Sequence, residues 1–167
     1  ARDQAADNAE VMTDCASRLQ AYNRRIKEYI ALYDCQAVNE AMNGGFMGLG
    51  CNDNKLIAAV CTRTKSQLQR TRKQYRDMYD KDMRAEVQSE TGGSYQRLMY
   101  FALASRSEYV ADIIDLACHA GVLELGCDET ALLEIFVTRT KAELQEGKVV
   151  WEGRTDKHLV DFLNENL

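Results

Sequence analysis

Two stretches of this chain are copies of one another. "LGCNDNKLIAAVCTRTKSQLQ" at 49–69 lies over "LGCDETALLEIFVTRTKAELQ" at 125–145, an offset of 76 residues. The register continues without a gap to Asp80-Lys81 over Asp156-Lys157. Upstream it sets Tyr33 on Tyr109 and Gly45 on Gly121. A fixed period of this kind marks a duplicated structural unit, so whatever the first copy folds into, the second must fold into as well.

The unit reads as helical. The chain has no proline, which removes the commonest helix breaker. Leu56, Ile57, Val60 and Cys61 give an apolar face at helical spacing after Asn52-Asp53. Thr64-x-x-Gln67 and Thr140-x-x-Glu143 each fit a capping box, so a new helix should begin just after each "TRT". That helix carries Leu68, Tyr75 and Met78 in the first copy and Leu144 and Trp151 in the second. Asp80-Lys81-Asp82 breaks the pattern and opens a short helix ending near Gln88. Gly92-Gly93 then makes a turn, with Ser94 as the cap of a last helix from Tyr95 to Ala104. With the helix before the "GLG" loop, this predicts an all-α chain of tandem five-helix repeats. The first copy, 33–106, is complete. The second, 107–167, lacks the counterpart of Gly92-Gly93 and of the fifth helix. The chain opens at Ala1 without a methionine, and a fragment of a longer protein is expected.

Residues 1–32 stand outside the repeats. Met12, Cys15, Leu19, Tyr22, Ile26, Tyr29 and Tyr33 are spaced 3-4-3-4-3-4, the seam of a long helix. The first expectation is that this stripe packs on the chain's own repeats. The alternative is self-association, or pairing with another helix, through residues 12–33.

Charge narrows the partners. With 21 Lys and Arg against 26 Asp and Glu, the net charge is −5. An acidic chain gains nothing from long-range attraction to nucleic acid or anionic lipid, so no nucleic-acid partner is expected and membrane contact needs a bridging cation. The basic run Lys65, Arg70, Arg72, Lys73 and Arg76 reads as a solvated face beside acids, with headgroup or RNA contact as the alternative. No apolar run reaches the roughly 20 residues of a membrane span, and no signal peptide is visible. The six cysteines make no CxxC pair and read as buried, reduced thiols of a cytoplasmic protein. Asn52-Asp53-Asn54 lacks the glycine and glutamate that would complete an EF-hand loop. Arg63 and Arg139 are read as donors to helix-end carbonyls. His119 and His158 occupy unrelated repeat positions, and no nucleophile–base or acid–base constellation is visible, so no catalysis is expected.

Gly48-x-Gly50 followed by Asn52-Asp53, then Cys61-Thr62-Arg63-Thr64, then "SETGG" at 89–93, resembles the annexin repeat. The second copy matches with Gly126, Asp128-Glu129 and Val137-Thr138-Arg139-Thr140. The resemblance covers residues 33–167. It implies a calcium-dependent phospholipid-binding fold, with calcium held in the loop between the first and second helices. Cys51 and Cys127 stand where annexins usually have threonine. By the resemblance, the carbonyls of Phe46, Gly48 and Gly50 are calcium ligands, and Glu90 is the distant carboxylate. Calcium takes six to eight oxygens, and a loop that turns several carbonyls to one point needs backbone angles that glycine tolerates. Met47 and Leu49 at the loop tip would touch the membrane. In the second copy Glu124 replaces Gly48, Gly126 matches Gly50, and Asn166 falls where Glu90 stands, so a degraded site without comparable calcium binding is expected.

The leading expectation is therefore calcium-dependent binding to anionic phospholipid membranes by a cytoplasmic, peripherally attached protein. The alternative is a calcium-independent structural or cytoskeletal scaffold that uses the annexin fold.

Overall fold

The computed structural model describes residues 2–44, 50–119 and 127–166, with side chains described from residue 8 to residue 165 within those stretches. Every regular element among them is a helix: α1 (Arg2–Met42), α2 (Asp53–Cys61), α3 (Lys65–Tyr79), α4 (Met83–Glu90), α5 (Gly93–Leu103), α6 (Arg106–Cys118), α7 (Glu129–Thr138), α8 (Lys141–Thr155) and α9 (Leu159–Asn166). The chain divides into two compact units, Ala1–Met99 and Tyr100–Leu167. The division falls inside α5, ahead of the repeat boundary read at 106/107. α1 runs unbroken through positions 32 and 33, so the N-terminal segment and the first helix of the first copy are one helix.

Caps set the helix starts. Gln67 N–H donates to Thr64 Oγ1 at 3.3 Å while Thr64 N–H donates to Gln67 Oε1 at 2.9 Å. Thr140 and Glu143 repeat the box at 3.3 and 3.0 Å. A third box, Ser105 with Glu108, opens α6. α3 and α8 both end on an aspartate in the left-handed region, Asp80 at φ +54° and Asp156 at φ +56°. A short polar side chain tolerates that conformation, and each cap N–H closes the last turn. The expected Ser94 cap is corrected. α5 starts two residues earlier than expected, at Gly93, and Gln96 N–H bonds to Gly92 O.

In the first unit α1 packs on α2 and α3. Its core holds Cys35, Val38, Ala41 and Met42 of α1, Leu56, Ala59 and Val60 of α2, Leu68 and Tyr75 of α3, and Met83 and Val87 of α4. The buried face of α2 is thus rotated from the one expected, because Ile57 and Cys61 are exposed and Ala59 is not. Met78 is likewise largely exposed. In the second unit α6 packs on α7 and α8 around Val110, Ile114, Leu132, Ile135 and Trp151. The Trp151 ring lies 5.2 Å from that of Phe162.

Three further expectations are corrected. The 12–33 stripe does not pack on the repeat of its own unit: Met12, Leu19, Tyr22, Ile26, Tyr29 and Tyr33 are 41–71% exposed and Cys15 is exposed. Burial begins at Ile30 and Ala31, beside Gln67, Arg70 and Thr71 of α3, with Lys27 at the margin. Arg63 does not serve helix-end carbonyls. It makes a two-pronged pair with buried Asp34, Nε to Oδ2 at 2.7 Å and Nη2 to Oδ1 at 2.8 Å. Arg139 instead lies over the Tyr109 ring, 5.4 Å from its centre. The cysteines, finally, are not uniformly buried: Cys35 and Cys118 are buried, Cys15 and Cys61 exposed, and all six are free.

Candidate functional site

The loop between the first two helices of each copy is closed by one backbone bond. Asn52 N–H donates to Ala41 O at 2.7 Å, and its counterpart Asp128 N–H donates to Ala117 O at 2.7 Å. The same residue then caps the next helix, Asn52 Oδ1 accepting from Lys55 N–H at 3.1 Å and Asp128 Oδ1 from Ala131 N–H at 3.0 Å. Each loop is thus fixed at its base whatever its apex does.

Gly50 leaves the first loop at φ +81°, and a Cβ there would meet nothing within 4 Å. Its requirement is conformational rather than steric. Cys51 follows, half-buried. Burial raises its thiol pKa, and the Asp53 carboxylate, which it also hydrogen-bonds, and the Glu90 carboxylate add to the rise. Glu90, the last residue of α4, is therefore within electrostatic reach of the residue next to Gly50. The turn that presents it is braced. Gln96 Nε2 donates to Gln88 O at 2.6 Å and to Thr91 O at 3.1 Å, and Thr91 Oγ1 donates to Val87 O at 2.6 Å. Tyr95, in the first turn of α5, reaches back to the start of α2 and donates to Asp53 O at 3.3 Å. Burial, followed by the Asp53 carboxylate, pushes its phenol up to about 12.

Of the ligands expected from the sequence, Gly50 and Glu90 are brought to one end of the first unit. Phe46, Met47, Gly48 and Leu49 lie outside the described residues, as do Glu124 and Gly126. Asn166 ends α9, with its side chain outside the description. Sequence reasoning missed Asp53 as a second carboxylate here. Its signal was the acidic first residue of α2 beside the "GLG" turn. Among the described residues no three His, Cys, Asp or Glu side chains gather as a metal cluster. What the site offers is the Asp53 carboxylate next to the residue after a left-handed glycine, with the Glu90 carboxylate within electrostatic reach, and such oxygen donors suit calcium better than a soft metal.

The annexin family model matches residues 33–101. The match lies on the first of the two copies and takes in less than half of the chain. The chain is 26% identical over 131 residues to annexin A7 of Dictyostelium discoideum and 27% identical over 127 residues to annexin A13 of Homo sapiens. These alignments take in 78% and 76% of this chain but only 28% and 39% of the two relatives, so the chain spans well under half of their length. Among solved structures, chicken annexin V superposes with a TM-score of 0.69 at 24% identity, over 82% of this chain and 41% of that one. The K16A mutant of annexin A8 gives 0.72 at 24% identity, over 82% and 40%. A calcium-bound annexin (Sm)1 gives 0.69 at 20% identity, over 82% and 39%. At these identities the likeness establishes the fold, which is that of all-α annexin repeats.

Proposed function

We propose that this chain binds anionic phospholipid membranes in a calcium-dependent manner, through the loop between α1 and α2 together with Glu90. Calcium and phospholipid binding are general properties of the annexin family. The observation that carries the reading for this chain is the proximity of the Glu90 carboxylate to Cys51, directly after the left-handed Gly50. In this reading the carbonyls of Phe46, Gly48 and Gly50 and the Glu90 carboxylate hold the ion, with Asp53 adding negative charge nearby. So few charged ligands give weak intrinsic affinity, because calcium affinity follows ligand charge and site rigidity. Water fills the remaining positions until a lipid phosphate replaces it. Membrane and calcium then strengthen each other's binding by linkage. A bridging cation also answers the net charge of −5, which by itself repels an anionic surface. Met47 and Leu49 would enter the headgroup region. Attachment is peripheral, on a cytoplasmic surface, and no catalytic step is assigned. No described helix is long and apolar enough to cross a membrane.

Sedimentation with phosphatidylserine vesicles tests this. The chain should pellet in calcium and return to the supernatant with a chelator. Glu90→Gln should raise the calcium needed for half-binding by about tenfold or more, the loss of one charged ligand being worth roughly 1.5–3 kcal/mol. A wild type that never pellets in calcium ends the reading. A Glu90→Gln variant that pellets equally well ends the site assignment alone.

The exposed 12–33 stripe supports self-association as a second property. A helix whose apolar residues repeat at heptad spacing in water is one that another helix can cover. Light scattering should find a dimer that Leu19→Glu or Ile26→Glu dissolves, and a monomer at high concentration removes the idea.

A further inference from the structure

We propose that Cys118 and Cys127 form a reversible intrachain disulfide that closes the loop between α6 and α7 covalently. Cys118 ends α6, and Cys127 precedes the cap of α7 by one residue. The backbone bond from Asp128 N–H to Ala117 O pins the residues that flank the pair at 2.7 Å. One residue further into the loop on each side stand Cys118 and Cys127, close enough that the Cys127 thiol, after burial, raises the pKa of Cys118. Both pack in the same apolar cluster, and both are free. Two cysteines that flank a backbone bond and pack in one cluster need little movement to bond.

The first copy serves as an internal control. Its loop is closed by the same backbone bond, from Asn52 N–H to Ala41 O at 2.7 Å. The position of Cys118 there is Met42, so Cys51 faces no thiol across the loop. The pairing is thus a property of the second copy and not of the shared frame.

The oxidant we assign is a small-molecule disulfide of the glutathione class. Cys127, the more accessible thiol, loses its proton, and its thiolate attacks one sulfur of the oxidant. That S–S bond breaks and a small thiolate leaves. Cys118 then loses its proton and attacks Cys127 Sγ, breaking the mixed disulfide and releasing the second small thiolate. The two protein protons end on the two released thiols, and the two electrons pass from the cysteines to the oxidant. Because Cys118 is buried, a reducing thiol enters at Cys127.

The test uses the wild-type chain equilibrated in glutathione buffers stepped from reduced to oxidised, alkylated, and cleaved after glutamate. Cleavage after Glu124 separates the fragment holding Cys118 from the one holding Cys127. They should remain joined after oxidising buffers and come apart on reduction. Cys51→Ser should leave this unchanged and Cys127→Ser should abolish it. Separate, fully alkylated fragments at every buffer composition overturn the proposal, as does Cys127 linked to any other cysteine. The measurement on the wild type needs no substitution in the core.

Discussion

The two repeats share a frame and differ in how they fill it. The loop-closing bonds at Ala41 and Ala117, the boxes at Thr64 and Thr140, and the left-handed aspartates 80 and 156 recur at the 76-residue offset. In the interior the buried apolar positions recur, as at Leu56 and Leu132 or Tyr75 and Trp151, but the polar and packing details do not. Position 34 is a buried aspartate gripped by Arg63, while its counterpart is Val110, and the matching Arg139 turns to the Tyr109 ring instead. The second unit has its own pair elsewhere, Arg154 with Asp112 at 2.7 Å, where the first has Met78 and Gln36. Thr71 is buried in α3, and its counterpart in α8 is Gly147. Ends of helices are fixed by backbone groups that every copy must satisfy, so they tolerate few solutions. A core accepts many, provided volume and charge balance locally.

The sharpest way to break this comparison is to treat the two arginines alike. Arg63→Met leaves Asp34 buried without its partner and should cost about 3–5 kcal/mol, the usual penalty for orphaning a buried charge. Arg139→Met removes an exposed contact with a ring and should cost about 0.5–1 kcal/mol. Urea unfolding followed by circular dichroism measures both. Equal costs would mean that the Asp34 pair is not the lock of the first repeat.

Next in size is Gly147. Replacing a glycine within a helix by alanine ordinarily stabilises it by about 1 kcal/mol. Here the added Cβ would collide with Cγ1 and Cβ of Val110. Gly147→Ala should instead destabilise by about 1–3 kcal/mol through overpacking. Val110→Ala in the same chain should recover part of that loss. The fluorescence of Trp151, the single tryptophan, follows this unit alone. A stabilised Gly147→Ala variant would show that the contact relaxes freely.

What the sequence made legible follows the same line. The "TRT" boxes and the duplicated period could be read because their partners lie three residues apart or recur at a fixed offset. The Asp34–Arg63 pair spans 29 residues, and nothing near Asp34 announces that it is buried. Periodicity showed that α1 carries an apolar stripe but not what lies against it, because spacing describes a helix and not its neighbours. The buried face of α2 turns toward Ala59 and away from Ile57, a choice that side-chain size in the sequence does not signal. At the candidate site, Gly50 and Glu90 were reached through the resemblance. Asp53 and the Tyr95 bond to its carbonyl emerged only once α5 was seen to fold back onto α2.

The smallest difference is in the boxes themselves. Both threonines cap their helices with the same geometry, but the reciprocal acceptor is Gln67 in one repeat and Glu143 in the other. The Thr140 backbone N–H, then its hydroxyl, hold the Glu143 carboxyl below its ordinary value of 4.5. A group whose folded pKa is depressed contributes stability that is fully present above its unfolded value and lost as pH falls through the folded one. Stability of the second repeat should therefore decline below about pH 4.5 by an increment that the Gln67 box of the first cannot show. Thr64→Ala and Thr140→Ala should each cost about 1 kcal/mol at neutral pH. Toward pH 3 the Thr140→Ala cost should shrink and the Thr64→Ala cost should hold. Glu143→Gln ought to make the two boxes behave alike, with Trp151 fluorescence following the second. If Thr140→Ala costs the same at both pH values, the carboxylate contributes no more to its box than an amide does.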